Sequence, residues 1–264
     1  MSPNSLTVRR RLAPTVLPRR AGRLERLRVG LADGAATTLH VASYALDSYL
    51  PRVVCLEQPT PLVRWCREHD LRHAVVGGFF VRPEYAPLGE LRLNGEPVPS
   101  VPFTAPWADV RGCLHVLGGQ IRVAPRDELA KDPDGDLLQA GPVLVRDGER
   151  AVAERDPEGF SLAAHQFDSD ITVGRYPRAA LAVAGDRVLA VACDGRTRRD
   201  AGMTLVELAD VLVRIGAQEA LNLDGGGSAS LVHDGRLRNR PREQHGVDLL
   251  EGRAVVSAVV FDPV

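Results

Sequence analysis

Apolar positions change period along the chain, and the changes mark out its elements. Leu27-Arg-Val-Gly-Leu31 and Thr38-Leu-His-Val-Ala42 are strand-like runs. Pro61-Leu-Val-Arg-Trp-Cys-Arg-Glu-His69 has the spacing of a short helix, with Thr60 as N-cap and Pro61 at the first helical position. It leads into Ala74-Val-Val-Gly-Gly-Phe-Phe80, which reads as a buried strand ending on a glycine pair where backbone can approach a ligand. Two-residue turn signals then recur between apolar runs: Asn94-Gly95, Gly118-Gly119, Asp147-Gly148, Gly185-Asp186 and Asp234-Gly235. These predict hairpins and a region dominated by antiparallel sheet. One helix interrupts it: Thr204 and Glu207 have capping-box spacing, Leu205, Leu208, Leu212 and Ile215 share a face, and Gly216 suits the end. Ala254–Phe261 is a closing apolar strand. The pattern predicts an α+β fold, a large mostly antiparallel or mixed sheet carrying a few helices, in one domain over residues 23–264. Residues 1–22, rich in arginine and proline, are expected to form a mobile basic tail.

The helix from Leu205 delivers the chain to Ala220-Leu-Asn-Leu-Asp-Gly-Gly-Gly-Ser-Ala-Ser-Leu-Val232. Three consecutive glycines let the backbone turn sharply and bring N–H groups close to a ligand. Asn222 and Asp224 are two apart and share a strand face, while Ser228 is read as opening the outgoing strand. An amide, a carboxylate, the amides of Gly225, Gly226 and Gly227 and a hydroxyl would then meet at one strand end. The other reading is a glycine-rich hairpin corner whose Asp and Ser bond only to the turn.

Composition narrows the partners. The 264 residues carry 33 basic and 34 acidic side chains, a formal charge of −1, which gives no general attraction to nucleic acid or anionic membrane. A single lysine, Lys131, accompanies the arginines, so an isolated arginine is weak ground for function. Cys55, Cys66, Cys113 and Cys193 are scattered, which indicates buried thiols in a reducing compartment rather than zinc or disulfides. With no apolar run after the basic N-terminus, the cytoplasm is the expected location. The seven histidines are dispersed and none pairs at metal-ligand spacing. Asp132-Pro-Asp-Gly-Asp136 begins like a calcium loop, but the closing position is Val143.

Three further stretches could reach the glycine-rich site. Asp194-Gly-Arg196 ends an apolar strand with a carboxylate and a guanidinium suited to phosphate, or is an ordinary turn with a solvated arginine. Arg178 opens another strand, pointing into a site or lying on the surface. Gln139-Ala-Gly141-Pro142 is a sharp strand entry where Gln139 could donate to a sugar hydroxyl, or a plain turn.

Taken together and in order, these residues resemble the phosphodiester glycosidase family over roughly Ala74 to Phe261. The resemblance rests on Gly77-Gly78-Phe-Phe80, Gln139-Ala-Gly141-Pro142, Pro177-Arg178, Asp194-Gly-Arg196, Gly202-Met-Thr204 with Glu207-Leu-Ala209, and Asn222-Leu-Asp-Gly-Gly-Gly-Ser228. It implies hydrolysis of a sugar 1-phosphodiester, or a related glycosidic bond, at the anomeric carbon. Arg178 and Arg196 would hold phosphate, Gly225–Gly227 and Ser228 would cradle oxygens, and Asp224 or Asp194 would act as base or stabilise the oxocarbenium-like centre. Asn222 would orient Asp224 or bind a hydroxyl; Gly77, Gly78, Gln139, Gly141 and Thr204 complete the implied substrate site. Val76 stands where the family usually has Asn, and Ala179 where it has Thr, which points to a changed substrate. No organic cofactor motif is present, and a divalent cation, calcium or magnesium, would belong at the Asp pair. The partner is a small phosphosugar or glycoside. A non-catalytic phosphosugar-binding protein and a tailoring glycoside hydrolase of small-molecule biosynthesis are the competing expectations.

Overall fold

The computed structural model describes residues 22–105, 107–153 and 174–264. The expected basic tail falls, apart from Gly22, outside the described residues. Every strand pairing described is antiparallel. The turn signals explain why. Asn94-Gly95, Gly118-Gly119, Asp147-Gly148 and Asp234-Gly235 all hold both residues at positive φ, whose twist matches that of the strands they join. At Gly185-Asp186 only the glycine does.

Strand material is divided among several sheets rather than gathered in one. A seven-stranded sheet runs in the spatial order Arg23–Gly30, Ala36–Ala45, Arg187–Cys193, Arg178–Ala184, Glu219–Asn222, Val143–Arg146, Glu149–Arg150. A five-stranded sheet contains Arg236–Leu237, Leu231–His233, Ala74–Val76, Ala254–Pro263 and Tyr49–Pro61 in that order. A second contains Gln120–Pro125, Gly112–Leu117, Asp136–Gln139, Leu91–Leu93 and Glu96–Pro97.

The central strands of the seven-stranded sheet are buried on both faces, which accounts for their unbroken apolar sequences. Ala179, Leu181, Ala190 and Ala192 face the large core shared with the other sheets. Their neighbours Ala180, Ala182, Leu189 and Val191 face the helix Leu205–Arg214. That helix buries Leu205, Leu208, Ala209, Val211 and Leu212, each large side chain contributing about 1.5–3 kcal/mol. Its capping box is complete: Thr204 Oγ1 accepts from Glu207 N at 3.1 Å, and the Glu207 carboxylate accepts from Thr204 N at 3.0 Å. The same carboxylate receives the Arg175 guanidinium at 2.6 Å.

Three local expectations are corrected. The first helix spans Leu62–Glu68, and its N-cap is Pro61 rather than Thr60. Thr60 is still paired in the preceding strand, opposite Val255, and its hydroxyl donates to Gln58 O. The strand expected to run to Phe80 stops at Val76, because Gly77 N and Gly78 N bend toward the Ser257 carbonyl and hydroxyl. Ser228 lies in a 3-10 turn, Gly226–Ser228, and the strand resumes only at Leu231.

The cysteines are unpaired, and burial pushes the thiols of Cys66 and Cys193 up to about 12, so both are unreactive. Among the described residues no helix is long and apolar enough to cross a membrane.

Candidate active site

The strand Glu219–Asn222 is flanked by Arg178–Ala184 and Val143–Arg146, so its end is fixed on both sides. Beyond it the backbone is fastened to two other loops: Asp224 N donates to Gly77 O at 3.0 Å, and Gly226 N donates to Pro177 O at 2.8 Å. The glycines permit these approaches. A Cβ on Gly225 would lie 2.9 Å from Pro177 O, and Gly226 sits at φ +59° against the Arg196 guanidinium. The amide row expected to cradle substrate is therefore partly spent on the protein, since Gly225 N also donates to Asp224 Oδ1 at 2.8 Å.

Asp224 is 9 % exposed. Burial pushes its pKa up to about 6, opposed by the nearby Ser228 hydroxyl, the charges of Arg253 and Arg82, and the Gly225 N–H. Around it, polar capacity is left unspent: Asn222 Oδ1, Ser228 Oγ and Ser230 Oγ are buried without a partner of good hydrogen-bond geometry. Each such atom costs about 1–3 kcal/mol. Three such atoms thus flank one glycine turn, from the end of the strand at Asn222 to Ser230.

Asp194 has a different environment. Its Oδ1 accepts from Arg240 N at 2.6 Å, and its Oδ2 lies 3.3 Å from His40 Nε2. Both corners nonetheless meet at one residue, because Gly195 and Gly225 each pack on Pro177. The adjacent Tyr176 ring has the Arg178 guanidinium 5.4 Å from its centroid and that of Arg196 at 5.4 Å. Arg178 is 3 % exposed and donates to Met203 O and Gly174 O, so it braces the 174–178 segment. Arg196 is part-exposed, donates to Arg242 O at 2.8 Å, and holds a left-handed backbone at φ +63°.

The remaining predicted residues divide by role. Gly77 and Gly78 form the wall beside Asp224, with Gly78 against Gln139 O. Gly141 has no room for a Cβ, which would stand 2.6 Å from Asn222 Nδ2. The Gln139 amide is occupied by Glu90 N and Ala108 O, and its side chain lines a cavity of about 510 Å³ with Glu90, Phe103, Arg126 and Lys131. Thr204 is the helix cap. Val76 and Ala179 are both fully buried in the large core, so the two departures bear on packing. Arg82 and Arg253, whose charges act on Asp224, and Tyr176 were not singled out by sequence. Arginines are too frequent here for spacing to distinguish two of them. Asp194 and Asp224 do not join a third metal-ligating side chain among the described residues.

Antiparallel sheets here close on a glycine-floored carboxylate, Asp224, with the charges of Arg82 and Arg253 acting on it and Arg196 against Gly226. A model of the phosphodiester glycosidase family matches residues 69–261, and the chain belongs to that family. Among solved structures it is similar to the zebrafish N-acetylglucosamine-1-phosphodiester alpha-N-acetylglucosaminidase catalytic domain auto-inhibited by its pro-peptide, at TM-score 0.69 and 17% identity. That match covers 97% of this chain and 88% of the other. A hypothetical protein from Synechocystis aligns at TM-score 0.59 and 17% identity, covering 91% of this chain and 64% of that one. A protein described as exported, from Burkholderia pseudomallei K96243, aligns at TM-score 0.65 and 16% identity, covering 89% and 75%. At these identities the likeness is one of fold. No curated protein matches the sequence.

Proposed function

We propose that the chain hydrolyses a sugar 1-phosphodiester at the anomeric carbon, with Asp224 as the carboxylate that assists water. The reading is supported above all by Asp224 itself: a buried acid raised to about 6, beside unspent polar atoms, in a loop whose glycines admit close approach. Such a group is mostly ionised at neutral pH yet basic enough to take a proton from water. Asp194 has both oxygens engaged and is assigned to holding the Arg240 segment and His40.

In the reaction the water oxygen bonds to C1, the C1–O bond breaks, and the phosphate departs as a monoester. Asp224 receives the water proton. A phosphate leaving group carries its own charge, so neutralising that charge matters more than protonating it. Arg196 in the tyrosine stack, with Arg82 and Arg253 nearby, supplies the positive field. Arg178 acts through Tyr176 as a positioning residue. Ser228 donates toward Asp224, and Asn222 orients the loop or meets a sugar hydroxyl. The first sugar to test is N-acetylglucosamine, named for the zebrafish relative.

The test is a panel of sugar 1-phosphodiesters incubated in H₂¹⁸O. Label in the free sugar, with unlabelled phosphomonoester, supports the proposal. Label in the phosphate overturns the bond assignment. Saturable binding with no product over hours would instead establish a phosphosugar-binding protein.

A further inference from the structure

At the other end of two strands that lead to the site, the fold brings together residues far apart in sequence. His73 precedes the strand Ala74–Val76, and His233 ends the antiparallel strand Leu231–His233, whose Val232 pairs with Ala74. Asp234 follows in the tight turn at φ +51°. One ligand atom from each of the three lies within 4.8 Å of the other two. His73 Nε2 is 4.0 Å and His233 Nε2 is 3.6 Å from the Asp234 carboxylate. These separations are too long for hydrogen bonds, and neither Nε2 makes one to a described residue.

We propose that His73, His233 and Asp234 form a binding site for a divalent transition metal of the zinc type, with water completing the coordination. The donor set is right: two imidazoles and a carboxylate suit zinc and its neighbours rather than calcium or magnesium. Ligands about 2.1 Å from a tetrahedral zinc stand roughly 3.4 Å apart, so the observed triangle needs a modest contraction. Asp234 is half exposed and on a turn and can shorten its own edges of 4.0 and 3.6 Å; any contraction between the buried imidazoles falls to His73 and His233.

The second layer fits as well. Tyr44 Oη lies 3.1 Å from His233 Nδ1 and 3.4 Å from His73 Nδ1. A hydroxyl oxygen accepting from His233 Nδ1–H would turn that Nε2 lone pair toward the metal; His73 Nδ1 also accepts from Asp234 N at 3.5 Å, a contact that Asp234 would give up on moving to the metal. Tyr44 is itself fully buried and stacked on Phe261 with centroids 4.2 Å apart, so it is a fixed support. Arg72 at 3.3 Å and Arg238 at 4.0 Å hold Asp234 without metal and would turn outward on binding. Arg72 is a surface side chain, whereas Arg238 is part-buried and also donates through Nε to His233 O at 2.8 Å, so its outer nitrogens alone would move. His73 lies four residues before Gly77, about 13 Å along the strand, so this metal would fasten two strands rather than take part in hydrolysis.

The experiment uses the full chain, freed of metal by chelator dialysis and titrated with Co²⁺, then Zn²⁺. We expect one Co²⁺ per chain with visible d–d absorption, displaced by Zn²⁺, and a Tm that rises with Zn²⁺. Asp234→Asn, which suits the positive-φ turn and keeps the fold, should weaken Zn²⁺ about 100-fold. Tyr44→Phe should weaken it about tenfold, the usual cost of losing an outer partner. Absence of stoichiometric binding at micromolar metal, or binding unchanged in both Asp234→Asn and His233→Gln, overturns the proposal. Neither result bears on the role of Asp224.

Discussion

Asp194 and Asp224 end the strands on either side of Arg178–Ala184, and both corners pack on Pro177. They differ in what surrounds their oxygens. Asp194 has a backbone N–H on one oxygen and an imidazole on the other. Asp224 has the N–H of the next residue, the nearby Ser228 hydroxyl and a raised pKa, with Asn222 Oδ1 and Ser230 Oγ unpartnered beside the same turn. A buried carboxylate tied at both oxygens to distant segments is a fastening, whereas one tied only within its own turn joins nothing to it. Position in the sheet is shared between the two, so position alone does not distinguish them.

The largest expected effect would test that distinction directly. Asp224→Asn should lower kcat about 10³-fold or more on the substrate found by the panel, roughly 4 kcal/mol, with circular dichroism unchanged. A rate within tenfold of the parent would break the comparison. Asp194→Ala should act on folding, costing about 2–4 kcal/mol in denaturant titration, because the Arg240 N–H and His40 lose their partner. Full stability with lost turnover would place Asp194 in the reaction instead.

The pH dependence sharpens the contrast. Asp224 is raised in the folded chain from about 4 to about 6, so the folded state holds a proton that the unfolded state has already released. Its contribution to stability is complete below about pH 4 and is lost as pH rises through about 6. Asp224→Asn should therefore stabilise the chain by about 1–3 kcal/mol at pH 8, measured by the shift in denaturant midpoint. In the parent, kcat/KM should climb to a plateau above about pH 6, as a base requires; a falling limb there would make Asp224 an acid. The smallest effect belongs to Arg196→Ala: KM about tenfold higher, with stability within about 1 kcal/mol, read from steady-state kinetics and a melt.

Much of the scaffold was legible because its signals are local. Asn-Gly, Asp-Gly and Gly-Gly turns need only two residues to set their φ angles, and the Thr204–Glu207 box needs four. The glycine loop was legible for the same reason. What sequence left open depends on distant partners. His73 and His233 are adjacent in space only because Ala74–Val76 and Leu231–His233 pair. The difference between Asp194 and Asp224 rests on Arg240 and His40, neither of them near in sequence. Arg82 and Arg253 matter through their distance from one carboxylate, which no local pattern encodes. Thr60 failed as a cap because pairing across to Val255 outcompeted a local signal.

Glu207 closes the helix start at Thr204 and at the same time grips Arg175, one residue from the ring that bears both guanidinium groups. Loosening of that helix end and drift of the aromatic plate are thus a single mechanical event. A surface designer who trims Glu207 to tidy the helix would be shifting the Tyr176 plate and the two arginines on it from a full element away.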